Sequence, residues 1–157
     1  MHELTSMRVQ NPGFRELAAA IFYNANFIND LGITLRDLGP GWCESFLEVD
    51  SRHLQQEGYV HGGVQATMAD HTAGGAGGTL VKKGDLVLTA EFKINFLRPA
   101  IGESLRCRAV VLKPGKTLIV AESDVYANKS GKEKLVAKAM VTLAVVGSAA
   151  DVSSRGV

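Results

Sequence analysis

Residues 62–80 read GGVQATMADHTAGGAGGTL, and this stretch decides the fold. It shows no polar–apolar alternation and few bulky side chains. Val64, Ala66, Thr67, Met68, Ala69, Ala73 and Ala76 keep it small and apolar over about five helical turns. The pattern predicts one buried helix. Gly74, Gly75, Gly77 and Gly78 oppose it, since each glycine costs about 1 kcal/mol against alanine in a helix interior. Such a helix survives only if other backbones pack closely on it; the glycines equally fit the place where it ends. A single carboxylate, Asp70, interrupts the run, and a carboxylate in apolar surroundings is costly unless it is paired, hydrated or used in chemistry.

Downstream the period changes to two. Leu86, Leu88, Ala90, Phe92, Ile94 and Phe96 alternate with Thr89, Glu91, Lys93 and Asn95. This predicts a strand with one buried apolar face, and it places Thr89 in the polar set, turned away from that face. Leu105, Cys107, Ala109 and Val111 alternate with Arg106 and Arg108 in a second strand, and residues 118–126 and 135–146 form two more. Lys113-Pro114-Gly115-Lys116 and Asn128-Lys129-Ser130-Gly131 are hairpin turns. Upstream, residues 51–59 are polar and loop-like, and residues 32–50 read as two short strands around Gly39-Pro40-Gly41. Phe14, Leu17, Ala18, Ile21 and Phe22 form an amphipathic stripe, giving an N-terminal helix over about 13–25. The last eleven residues, 147–157, read as a frayed tail. The sum is an α+β fold with one long helix against an antiparallel sheet. Without internal repeat or linker, the 157 residues form a single domain with its core over about 28–146.

Composition narrows the function classes. Apolar residues make up 46% of the chain, enough to bury a core, and the net charge of +1 leaves no electrostatic footprint for nucleic acid or an anionic membrane. No apolar run approaches the roughly 18 residues that span a bilayer, and MHELTSMRVQNPG is not a signal segment, so a cytoplasmic protein is expected. Cys43 and Cys107 form no disulfide framework and read as core residues. His2, His53, His61 and His71 have no metal-ligand spacing, and no cofactor is expected. The glycines from Gly74 to Gly78 lack the Gly-Lys-Ser/Thr ending of a phosphate loop, and no Gly-x-Ser-x-Gly marks a serine triad.

The segment Tyr59-Val-His-Gly-Gly-Val-Gln-Ala-Thr-Met-Ala-Asp70, followed by Glu91-Phe-Lys-Ile-Asn-Phe-Leu-Arg-Pro99, resembles the hotdog-fold acyl-CoA thioesterases of the phenylacetate-pathway type. The resemblance implies a central helix wrapped by a curved antiparallel sheet, pairing of protomers into homodimers and often homotetramers, and acyl-CoA substrates. By position it implies Asp70 as nucleophile or general base, the Gly62 backbone N–H as oxyanion donor, and Thr89 as a hydroxyl that helps hold the attacking water. Gln55 falls where some members carry an asparagine near the thioester, with Gln56 beside it as the alternative. Gly63 and His61 adjoin the oxyanion position, although a histidine there is read first as a cap on the helix start. Arg98, Lys113 and Lys116 are candidates for the phosphates of coenzyme A, and Phe14, Phe22 and Phe27 for an acyl pocket; His71 is given no role. A non-catalytic module binding acyl-CoA or acyl-carrier protein is the competing reading. A hydratase would want a catalytic histidine paired with a carboxylate.

One spacing argument sharpens this picture. Gly62 and Asp70 are eight residues apart, about 12 Å along a helix axis. A reacting carbonyl needs both within roughly 3 Å of its atoms. If both act, two helices related by a two-fold axis must share each site.

Overall fold

The computed structural model describes residues 7–147, so the expected frayed tail lies outside the described residues apart from Gly147. Helix α1 spans Phe14–Tyr23 and is followed by a short α2, Asn26–Leu31, which the sequence reading did not resolve. Strands β1 (Thr34–Gly39) and β2 (Trp42–Glu48) form the expected hairpin around Pro40. A single 3-10 turn, Ser51–His53, stands where a loop was expected; Asp50 caps it, and the ring of the buried His53 accepts from the Asp50 N–H. Helix α3 runs Gly62–Gly78, and strands β3 (Leu86–Phe96), β4 (Ser104–Pro114), β5 (Leu118–Lys129) and β6 (Lys132–Val146) complete the chain. β5 and β6 meet at Ser130 and Gly131, both at positive φ, as a two-residue hairpin turn requires.

The six strands form one antiparallel sheet in the order β1-β2-β4-β5-β6-β3. Helix α3 touches all six strands, so the sheet must curve around it. Most of the glycines that opposed a helix are explained by this wrapping. A Cβ on Gly77 would lie 2.5 Å from Leu143, and one on Gly75 would lie 2.8 Å from the Cys43 sulfur. Gly74 and Gly75 lie within the helix and Gly77 and Gly78 are its last residues, so the cluster both lets the sheet and α1 close on α3 and marks where it ends.

Strand β3 departs from its expected single buried face. The register slips between Thr89 and Glu91, leaving Ala90 as a bulge. Thr89 stands opposite the fully buried Leu143, whereas Phe92, Ile94 and Phe96 stand opposite the buried Val141, Ala139 and Ala137. Inward parity is therefore odd before the bulge and even after it. Leu86 and Leu88, expected inside, lie on the other face and are exposed; Phe92 and Phe96 keep the inward parity but are exposed too, so on this edge strand only Val87 and Ile94 pack against the core; Thr89, expected to turn away, points at α3.

Candidate active site

Asp70 lies in the middle of α3 on the one side that the sheet leaves partly open. Its neighbours on the other faces, Met68, Ala69, Thr72 and Ala73, are buried. Beneath it, buried hydroxyls fix the helix to the sheet. Ser123 donates to the Ala69 carbonyl at 2.8 Å, Thr72 donates to the Met68 carbonyl at 2.6 Å, and Ser45 and Thr72 share a 2.6 Å hydrogen bond. These bonds hold the turn that carries Asp70 at a fixed height over the sheet. Above, Thr89 Oγ1 donates to Asp70 Oδ1 at 2.7 Å. The bulge at Ala90 makes this contact possible, because an unbroken strand would have turned the hydroxyl outward.

Asp70 and Thr89 stand at one end of a cavity of about 290 Å³. Its walls are largely aliphatic: Leu17 and Ile21 from α1, Val87 and Leu88 from β3, and Leu143 from β6. Of the phenylalanines considered for such a pocket, Phe22 is buried in the core, Phe27 is exposed, and none borders the cavity. The i, i+4 pair Leu17 and Ile21 was the signal to read. His71 also borders the cavity. Its Nε2 meets the Ile21 carbonyl at 3.1 Å and its ring stands edge-on to Phe22 at 4.6 Å, so it ties α1 to α3. Burial lowers its pKa below the ordinary histidine value.

The other candidates gather at the start of α3. His61 is the N-cap; its Nδ1 accepts from the Gly63 N–H at 2.8 Å, which places the ring proton on Nε2. Gly63 therefore has its donor committed. Among the described residues, the Gly62 N–H donates to no protein acceptor. The half-exposed Phe96 ring lies against Gly62, where a Cβ would meet it at 3.0 Å. Gln55 belongs to the preceding loop: its N–H donates to the Tyr59 carbonyl, and its side-chain oxygen accepts from the Glu57 N–H. The loop joins α3 through the Leu54–Val60 bridge and a 2.8 Å bond from the His61 N–H to the His53 carbonyl. Gln55, His61, Gly62 and Gly63 thus form one group. Asp70 and Thr89 form another, about 12 Å further along the helix.

The cations expected at one mouth are divided. Arg98 follows the far end of β3 and donates to the Leu135 carbonyl at 2.9 Å. Lys113 and Lys116 flank the β4–β5 turn, which pairs through β6 with the opposite end of β3, roughly 30 Å away along the strand.

Residues 57–134 match the family model described as the thioesterase superfamily. Acyl-coenzyme A thioesterase 13 of Homo sapiens is 32% identical over 131 residues, covering 82% of this chain and 91% of that protein. The chain belongs to the thioesterase superfamily. The crystal structure of a thioesterase family protein from Silicibacter pomeroyi superposes with a TM-score of 0.84 at 36% identity, covering 86% of this chain and 99% of the other. A Haemophilus influenzae thioesterase follows at 0.75 and 27%, covering 83% and 90%. The PaaI protein of E. coli, at 23% identity and a TM-score of 0.75, shows the fold alone over 86% of this thioesterase and 94% of its own chain. The hotdog architecture and membership among thioester hydrolases are thus established. No helix of the described residues of this thioesterase is long and apolar enough to cross a membrane.

Proposed function

We propose that the protein is an acyl-CoA thioesterase in which Asp70 is the base or nucleophile and Thr89 holds it. The observation that carries this reading is the 2.7 Å bond from Thr89 Oγ1 to Asp70 Oδ1 at the end of an aliphatic cavity. A hydroxyl donating to one carboxylate oxygen leaves the other free to take a proton from water or to attack a carbonyl carbon. Hydrolysis also needs a donor for the developing oxyanion. The Gly62 N–H suits that role, with no side chain to obstruct a carbonyl and the helix dipole behind it.

Because α3 is one unbroken helix from Gly62 past Asp70, the two groups of one protomer lie about 12 Å apart and cannot meet on one carbonyl. The active unit in this reading is a homodimer in which Gly62 of one protomer faces Asp70 of the other, with pairing into a homotetramer as its extension. Gln55 and His61 border the oxyanion side and reach the thioester from there. The protein works in the cytoplasm without metal or cofactor. The test is a panel of aliphatic and aromatic acyl-CoA esters assayed for thiol release, with Asp70→Asn beside the parent. Release by the parent and its loss in the variant, with the far-UV spectrum unchanged, supports the reading. A parent that binds the esters without turnover favours the non-catalytic module.

A further inference from the structure

Gly75, Gly77 and Gly78 of α3 are each explained by what packs on them. A Cβ on Gly75 would lie 2.8 Å from the Cys43 sulfur, one on Gly77 2.5 Å from Leu143, and one on Gly78 2.7 Å from Ile21. Gly74 is different. A Cβ there would meet no atom within 4 Å, and its backbone is ordinary α-helix without a positive φ. Neither packing nor backbone geometry calls for glycine at this position. Glycine is nonetheless the poorest helix former after proline, and Gly74 sits inside α3 rather than at its end.

The open space above Gly74 is part of the Asp70 cavity. Gly74 borders that cavity one turn beyond Asp70, on the same face of α3. Leu17 and Ile21 close it from α1, and Val87 closes it from β3. Polar side-chain atoms line it only at Asp70, Thr89 and His71, around the carboxylate, and at Asp85, just before β3 begins. His71 Nε2 is already engaged by the Ile21 carbonyl. A pantetheine arm carries amides and a hydroxyl, which would lose their hydrogen bonds to water against such walls, whereas an alkyl chain has none to lose. The volume of about 290 Å³ lies at the small end of ligand sites, which run about 300–1,000 Å³, so it suits the acyl part of a thioester alone.

The depth of Gly74 follows from the helix. It lies four residues from Asp70, about 6 Å along the axis. An extended chain advances roughly 1.2 Å per bond, so about the fifth and sixth acyl carbons, counted from the carbonyl, pass over Gly74. A butanoyl group ends before it.

We infer that Gly74 is a specificity-determining residue, whose missing side chain admits aliphatic acyl chains longer than butanoyl into the space between α1, α3 and β3. This rests on the thioesterase reading and adds to it the class of acyl group. The helix gives up stability at Gly74 and keeps open a passage that its substrate uses.

The test compares octanoyl-CoA with butanoyl-CoA in the parent, Gly74→Ala and Gly74→Leu, by kcat/KM for thiol release and by thermal melting. The parent is expected to favour octanoyl-CoA. The octanoyl-to-butanoyl ratio is expected to fall severalfold in Gly74→Ala and on the order of a hundredfold in Gly74→Leu, through KM. Tm is expected to rise by about 2–4 °C in Gly74→Ala, because alanine is the better helix former and meets no neighbour there. Three results overturn the inference. A lower Tm in Gly74→Ala would make Gly74 a packing glycine. An unchanged ratio would take it out of substrate selection. Equal losses on both esters would put the carrier's arm or a partner chain over it. Calorimetry with the non-hydrolysable thioether S-octyl-CoA separates this inference from the thioesterase reading. A parent that hydrolyses neither ester but binds the thioether, more weakly in Gly74→Leu, keeps the acyl passage and loses the enzyme. A parent that hydrolyses both esters at a ratio that neither variant moves keeps the enzyme and loses the passage. A parent that neither hydrolyses the esters nor binds the thioether loses both.

Discussion

In the proposed reading, the first turn of α3 and its middle supply two halves of one chemistry. The first turn has a backbone donor without a protein acceptor, a glycine surface and a histidine cap, but no carboxylate. The middle has a carboxylate held by a hydroxyl beside an aliphatic cavity, and its backbone donors are spent inside the helix. Neither group is sufficient for ester cleavage, and a rigid helix keeps them apart. If both groups act on one carbonyl, as proposed, the catalytic unit has to be larger than the chain.

Four substitutions probe this division, in falling order of effect. Asp70→Asn keeps the size and the Thr89 contact but removes the base, so kcat is expected to fall by about 10²–10⁴. Turnover close to the parent's would take Asp70 out of the mechanism. Gly62→Pro removes the donor at a position where proline suits a helix start, with an expected loss of about 10²–10³ in kcat. Gly62→Ala is its control, since it crowds the same Phe96 ring but keeps the N–H. Equal losses in the two would assign the effect to Phe96 instead. Thr89→Val removes a hydrogen bond to a charged group, worth about 1.5–3 kcal/mol, so a drop of roughly tenfold or more is expected. If Thr89→Val runs at the parent's rate, the hydroxyl has no part in holding Asp70. His61→Ala removes the cap and should cost about 1 kcal/mol, a few degrees in Tm. His61→Asn restores a cap. If Asn recovers Tm but not rate, the imidazole itself serves the substrate.

A smaller effect concerns the cavity's α1 wall. Burial holds the His71 pKa below its ordinary value of 6.5, so the unfolded chain binds more protons as pH falls through about 6.5. His71 therefore contributes stability above that pH that is lost below it. The parent should lose more Tm between pH 7.5 and 5.5 than His71→Phe does, and equal losses would show that His71 takes up its proton equally well folded and unfolded.

Much of this was legible in the sequence, and the exceptions have physical causes. The alternation in β4 and the two hairpin turns gave the sheet, and the small residues of α3 gave a buried helix. The parity switch in β3 was not legible, because Ala90 is apolar and small enough to fit an unbroken alternation. Only its partner register with Leu143 and Thr142 exposes the bulge. Thr89 was therefore marked as a candidate while its direction was misread. The division of Arg98 from Lys116 depends on the lengths of paired strands, which local patterning does not carry. The six-residue α2 is too short to leave a period.

The central claim is that each site takes Asp70 from one protomer and Gly62 from the other. Asp70→Asn and Gly62→Pro chains, each inactive alone, are denatured together in equal amounts and refolded, and mixed dimers are verified by mass. A mixed dimer holds one site missing both groups and one missing neither. With half the dimers mixed, about a quarter of all sites are intact under two-fold symmetry. The account predicts activity returning toward a quarter of the parent's; verified mixed dimers as inactive as either variant alone would contradict it.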